Sequence, residues 1–299
     1  MQITPELLIG AASALAGSAL YALSVVVYRS QKGKIHPLAI SSIKMWIALP
    51  VMGFLILLPI SAPLLSIPIE SAFILAISIF FGAVAGDTLY LMSQERIGVS
   101  NAFPIAMSFP ILTYVLAIIF LAEPLIITRF IGAIIAVSGL VLISREQNNN
   151  EEQKKKGFDS IGVLLAISTA ILYATGTVIL QVGVTDVDPI SGNFIRVLSG
   201  SVAFLPIFFF ANMKGMQKPS KHAVKLVLIA GFFGMGIGSL LYVSAVKYAG
   251  AAITSVLAST APLWAVPVSI IFLKERITRL ASIGVLVTVA GVILVILGI

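Results

Sequence analysis

Ten apolar runs follow one another along this chain, separated by short polar breaks, and they decide which solvent the fold is built for. Their limits lie near 7–28, 37–59, 71–93, 98–121, 127–144, 160–182, 189–211, 224–246, 250–272 and 279–298. About 20 apolar residues in a helix cross the hydrocarbon core of a bilayer. Inside that core every backbone N–H and C=O must be bonded within the protein, which leaves helices or closed barrels. The runs are too long for barrel strands and lack their alternation. The expected fold is an all-α membrane protein with ten transmembrane helices. Composition agrees: 59% of the 299 residues are hydrophobic and 10% charged, whereas a soluble domain is nearer a quarter charged. The N-terminal MQITPELLIG has no basic region ahead of its apolar run, so that run reads as a first span and not a cleaved signal. There is no cysteine, which excludes disulfides and thiolate metal sites. The net charge of +7 sits mostly in short loops, where it orients a chain in lipid and does not point to nucleic acid.

The chain repeats itself. A shift of 152 residues lays Gly10 on Gly162, Tyr21 on Tyr173, Pro37 on Pro189, Tyr90 on Tyr242, Gly98 on Gly250, Pro110 on Pro262 and Glu123 on Glu275. From Phe80 to Glu123, 14 of 44 positions are identical. Matches at Gly, Pro, Tyr and Glu at one fixed offset exceed what two Leu-rich helices share by chance. Between the halves lies SREQNNNEEQKKKGFDS, a solvated linker by composition. The organisation is therefore a first repeat (1–144), a polar linker (145–159) and a second repeat (160–299). Each half has five spans, an odd number, so the second enters the membrane from the opposite face. Such inverted-topology repeats support alternating access to a site between the halves, which argues for a transporter.

The ends of the fourth and ninth spans recur as FLAEPLIITRFIGAIIAVSGLVLI and FLKERITRLASIGVLVTVAGVILVI. With the five-plus-five layout, they make the chain resemble the EamA-type members of the drug/metabolite transporter superfamily over nearly its whole length. The family's usual Gly-Glu at this turn is Ala122-Glu123 and Lys274-Glu275 here. The resemblance implies a ten-helix carrier with a central cavity lined mainly by spans 1, 3, 4, 6, 8 and 9. The superfamily moves amino acids, other metabolites, drugs, nucleotide sugars and sugar phosphates.

Polar groups in lipid cost several kcal/mol unless paired or facing water, so those inside the spans are the candidates for function. Lys44 and Arg196 share a repeat position roughly 10 Å inside their helices. Either they snorkel to the headgroups or they act as ion-pair or gating groups. Asp87 lies at the same depth as Lys44. It either neutralises Lys44 or faces the cavity and takes a cation or proton, and its repeat partner is Ser239. Tyr21, Tyr90, Tyr173 and Tyr242 form two repeat-matched pairs on spans that the resemblance assigns to the cavity. Trp264 and Asn101 join them as candidate cavity residues, Asn101 and Gln181 being equally able to cap helix ends. Pro110 and Pro262 are candidate helix bends. Glu123 and Glu275 sit at turns, where they satisfy donors of the next helix or pair with Arg129 and Arg279 as a gate. Gly82 and Gly86, with Gly234 and Gly238, form GxxxG pairs, read as a packed or sliding helix seam.

Of the 19 Lys and Arg residues, 15 flank the odd-to-even loops and only Arg129 and Lys247 flank the other side. The positive-inside rule then places both termini outside the cell membrane, whereas the resemblance more often implies termini inside. There is no Walker loop or nucleophile motif, and His36 and His222 stand far apart, so no enzyme, cofactor or metal site is expected. The expected function is secondary active export of small organic metabolites such as amino acids or amphipathic drug-like compounds, with protons as the candidate coupling ion. The alternative is a non-transporting membrane scaffold or sensor.

Overall fold

The computed structural model of the protein describes residues 4–31, 33–59, 67–146, 159–264 and 279–298. Among these residues every regular element is a helix. The first half holds α1 (Pro5–Ser30), α2 (Pro37–Ile56), α3 (Ile69–Ile79), a π-helical turn (Phe80–Gly86), α4 (Asp87–Ile97), α5 (Val99–Ala106), α6 (Phe109–Leu121) and α7 (Ile127–Glu146). The second holds α8 (Ser160–Val184), α9 (Pro189–Met213), α10 (Lys221–Gly231), a second π-helical turn (Phe232–Ile237), α11 (Gly238–Ala258) and α12 (Arg279–Leu297).

The helix starts carry their own chemistry. Proline occupies the first position of α2 and α9, where its missing N–H is no loss. The residues before them are repeat-matched caps: His36 Nδ1 accepts from the Leu38 N–H at 3.2 Å, and Asp188 Oδ2 from the Ser191 N–H at 3.0 Å. Asp159 caps α8 through the N–H groups of Ile161 and Gly162.

Among the described residues seven helical segments are long and apolar enough to cross a bilayer, and Ile127–Ile143 and Ser282–Leu297 are shorter apolar stretches. The difference from ten equal spans is greatest at the eighth and ninth. Residues Lys221–Ala258 run as one 38-residue segment, longer than a single crossing needs. That segment bends at Gly250, whose φ of 82° is outside helical space, and Gly98 holds φ 77° at the matched position. Only glycine takes such a φ freely, so the two glycines mark where the chain turns from one crossing to the next. The rest of the expected ninth span, from residue 265, lies outside the described residues.

The halves pack by contacts made twice with the roles exchanged. Gly10 of α1 lies against Ala249, and Gly162 of α8 lies against Ile97, the repeat-matched position. On α7, Gly132 meets Gly291 of α12, and seven residues later Gly139 meets Gly284. A Cβ added at Gly132 would stand 2.8 Å from the Gly291 carbonyl oxygen, and one at Gly284 would stand 2.8 Å from that of Gly139. Advancing along one helix is retreating along the other, the pattern of a two-fold axis lying across the helices. Small residues let such helices touch backbone to backbone, a main source of packing energy in lipid. Large apolar side chains such as Leu57, Ile69, Phe120 and Leu286 are 70–83% exposed. Such exposure is costly in water and costs nothing against acyl chains.

Candidate functional site

A cavity of about 170 Å³ opens between the halves. Both π-helical turns line it, through Gly82 and Ala83 in the first half and Gly234 and Met235 in the second. A π turn carries one extra residue per turn and is concentrated at functional sites. Here it splays the helix where the cavity needs width. A Cβ at Gly82 would meet nothing within 4 Å, because the position faces the open space. Ile79, Met107 and Phe109 supply apolar wall, and Tyr21, Tyr173 and Tyr242 add hydroxyls.

At one end of the cavity stands Asp87, the first residue of α4. Its Oδ2 accepts from Lys44 Nζ and its Oδ1 from the Tyr173 hydroxyl at 2.5 Å. Lys44 and Asp87 are both buried. Lys44 therefore does not snorkel: its charge is met inside the protein. Tyr173 reaches Asp87 from the other half, its ring edge-on to Phe109 and pressed against Gly86, where a Cβ would come within 2.8 Å of Cε1. Behind the pair, Tyr21, Tyr28, Tyr90 and Gln94 close a smaller cleft.

The second half answers with a cation held by neutral partners. Arg196 occupies the repeat position of Lys44 and is equally buried. Its Nε–H donates to Ser78 Oγ at 3.0 Å and its Nη1 to Asn193 Oδ1 at 3.4 Å. Asn193 Nδ2 in turn donates to Ser239 Oγ at 2.9 Å, and Ser239 is the residue matching Asp87. Nearby, the Tyr242 and Thr177 hydroxyls are 2.7 Å apart.

Several sequence expectations meet different surroundings. Asn101 is exposed and donates to the Ile97 carbonyl at 3.0 Å. It fastens the helix end beside Gly98 and is no part of the cavity. Trp264 is 41% exposed, and its Nε1–H donates to Ser18 Oγ at 2.9 Å. It stands behind the wall that Ser18 lines. Tyr90 is buried and faces the smaller cleft with Lys44 and Asp87, not the main cavity. Glu123 does not cap the next helix: its Oε1 accepts from Gln181 Nε2 at 3.0 Å. Gln181 Oε1 accepts from the Ala251 N–H, so one side chain joins three segments. Glu275 lies outside the described residues. Pro110 is the second residue of α6, after a break at Met107 and Ser108, where Ser108 Oγ donates to the Ile105 carbonyl at 2.7 Å. Pro262 follows the matched break, where Thr260 Oγ1 donates to the Leu257 carbonyl at 2.6 Å.

Comparison with known proteins finds a match to the model of the EamA-like transporter family at residues 8–145 and again at 160–297. The chain belongs to the EamA-like transporter family. An uncharacterized transporter of Archaeoglobus fulgidus is 25% identical over 232 residues, covering 77% of this chain and 78% of that one. The uncharacterized transporter YvbV of Bacillus subtilis is 26% identical over 186 residues, covering 62% of this chain and 59% of its own. A solved crystal structure superposes with a TM-score of 0.75 at 17% identity, covering 98% of both chains, a likeness of fold. This EamA-like chain is thus a multi-pass membrane protein of a transporter family and not an enzyme family.

Sequence reading of the EamA-like chain missed Ser78, Asn193, Met107, Phe109 and the clamp role of Gln181. For Asn193 a signal existed: it lies three residues before Arg196, one helical turn away on the same face. Ser78 and Phe109 carry no such mark, since one Ser among many and one Phe among 17 look alike in a string of letters.

Proposed function

We propose that this EamA-like chain is a secondary carrier that exports a small organic solute by alternating access to the cavity between its repeats. The observation that carries the reading is the pair of repeat-matched π turns opening onto one cavity from opposite halves. Rocking of one inverted repeat against the other exposes such a site to each face in turn. The Lys44–Asp87–Tyr173 cluster ties the two halves at the cavity wall, which supports Asp87 as the group that a coupling proton would address. A scaffold without a ligand has no use for the cavity. The loop charges support termini outside, and a C-terminal reporter active only in the cytoplasm would reverse that orientation if it gave signal.

Flux into proteoliposomes is the test, with a panel of amino acids, organic acids and cationic dyes. The wild-type chain is expected to move at least one solute. Gly82→Leu fills the cavity from a position with no backbone clash, and is expected to stop that flux while melting like wild type. Absence of flux across the panel, or full flux in Gly82→Leu, would overturn the reading.

A further inference from the structure

Arg196 is a buried cation of the cavity to which the described residues offer no carboxylate. Its two protein acceptors, Ser78 and Asn193, are both neutral. A guanidinium presents five N–H donors in a fixed fork, so three remain without a partner among the described residues. At the repeat position Lys44 has Asp87; beside Arg196 the matching residue is Ser239, a hydroxyl already held by Asn193 and the Met235 carbonyl. Among the described residues the charges at the cavity and its adjoining cleft are Lys44, Asp87 and Arg196, which leave one positive charge uncompensated. An unpaired buried charge is strongly destabilising, and in a membrane protein such residues mark substrate paths. The arrangement makes sense when the counter-ion arrives with the ligand.

We propose that Arg196 anchors the carboxylate of a small organic monoanion whose apolar body fills the cavity. This rests on the cavity being the solute site. A planar guanidinium fork matches a carboxylate in a bidentate pair. The cavity of about 170 Å³ is close to the size that holds a benzene ring, roughly 150 Å³. Ile79, Met107, Phe109 and Met235 give that body an apolar bed. A phosphate ester carries up to about two negative charges at neutral pH, against one free positive charge here, so the balance favours a carboxylate. An α-amino acid gains nothing extra from Asp87. Ser78, at the Arg196 head, and Asp87 are nine residues apart on one helical segment, on the order of 10 Å. The ammonium and carboxylate of an α-amino acid share a single carbon and do not span that gap, and Asp87 is already paired.

Binding is measured by titration calorimetry on the full wild-type chain in lipid nanodiscs, with benzoate, benzamide, benzylamine and phenyl phosphate. Benzoate is expected to bind at least tenfold more tightly than the other three, the size of effect a charge-assisted hydrogen bond gives. Arg196→Gln is expected to lose benzoate by roughly 10- to 100-fold. Ser239→Asp returns an acid to the repeat-matched position; it is expected to raise the unfolding temperature of the empty protein and also to lose benzoate. If Arg196→Gln does not fold, Ser239→Asp carries the test. Benzoate binding no better than benzamide, no benzoate binding, or wild-type affinity in Ser239→Asp would overturn the anchor. Phenyl phosphate binding as tightly as benzoate would overturn the carboxylate assignment. Flux of other solutes without benzoate binding sinks the anchor alone; benzoate binding without flux of any solute sinks the transport reading alone.

Discussion

Lys44 and Asp87 neutralise each other inside the helix bundle, and removing either partner leaves the other charge buried without compensation. Lys44→Met is expected to destabilise the protein by about 3–5 kcal/mol, read by denaturant titration in detergent. Lys44→Met combined with Asp87→Asn is expected to lose less than Lys44→Met alone, because the amide oxygen still accepts from Tyr173 and no charge is stranded. Strict additivity of the two changes would refute the pairing energetics. At the protein surface the acid behaves differently. Asp159 holds a carboxyl below its ordinary value of 3.8, first through the Gly162 N–H, then against a small desolvation cost, and through Arg96 at 3.1 Å. A pKa lowered by folding stabilises above the unfolded value and stops doing so as pH falls through the folded one. The difference in unfolding temperature between wild type and Asp159→Ala is therefore expected to be full above about pH 3.8 and to shrink as pH falls from there through the lower folded value. The Lys44–Asp87 pair is readable from sequence because depth follows from counting residues along antiparallel spans. The Ser78–Arg196–Asn193 network is not, because hydroxyl and amide partners are set by rotation about helix axes, which counting does not give.

The helical elements fall on the apolar runs of the sequence and differ from them in shape. Gly82 and Gly86 read as one GxxxG seam, yet they do different work. Gly82 faces open cavity, and Gly86 is pressed on the Tyr173 ring. Gly86→Ala brings its Cβ within 2.8 Å of that ring and is expected to cost about 1–3 kcal/mol, the usual penalty of overpacking. Gly82→Ala is expected to be neutral or slightly stabilising, since helical Ala outranks Gly by about 0.5–1 kcal/mol. Equal effects in unfolding titrations would refute the distinction. The π turns themselves leave no trace in the letters. FFGAVAG has the composition of any apolar helix. What the sequence does carry is the repetition of the motif as FFGMGIG, which marks the site without describing its geometry.

For the molecule as a whole, the repeat offset foretells the two-fold contact pattern, because a matched pair of halves buries its small residues by exchanging roles. It does not foretell which contacts must open during transport. Gln181 makes the contact at which that question is tested most directly. It joins the end of α8 to Glu123 beyond α6 and to Ala251 just past the Gly250 bend, so the three segments cannot part while it holds. If alternating access requires them to part, a covalent link there stops flux without blocking the solute site. The chain has no cysteine of its own, so Gln181→Cys with Ala251→Cys introduces the sole thiols. Bridging the pair with a short thiol-specific cross-linker is expected to abolish flux in proteoliposomes while solute binding stays within about twofold, and a reducible linker is expected to restore flux on reduction. A bridged protein that transports at the rate of the unbridged one would mean that this end of the bundle stays closed throughout the cycle. The opening motion would then have to be sought at the other pole of the two-fold axis.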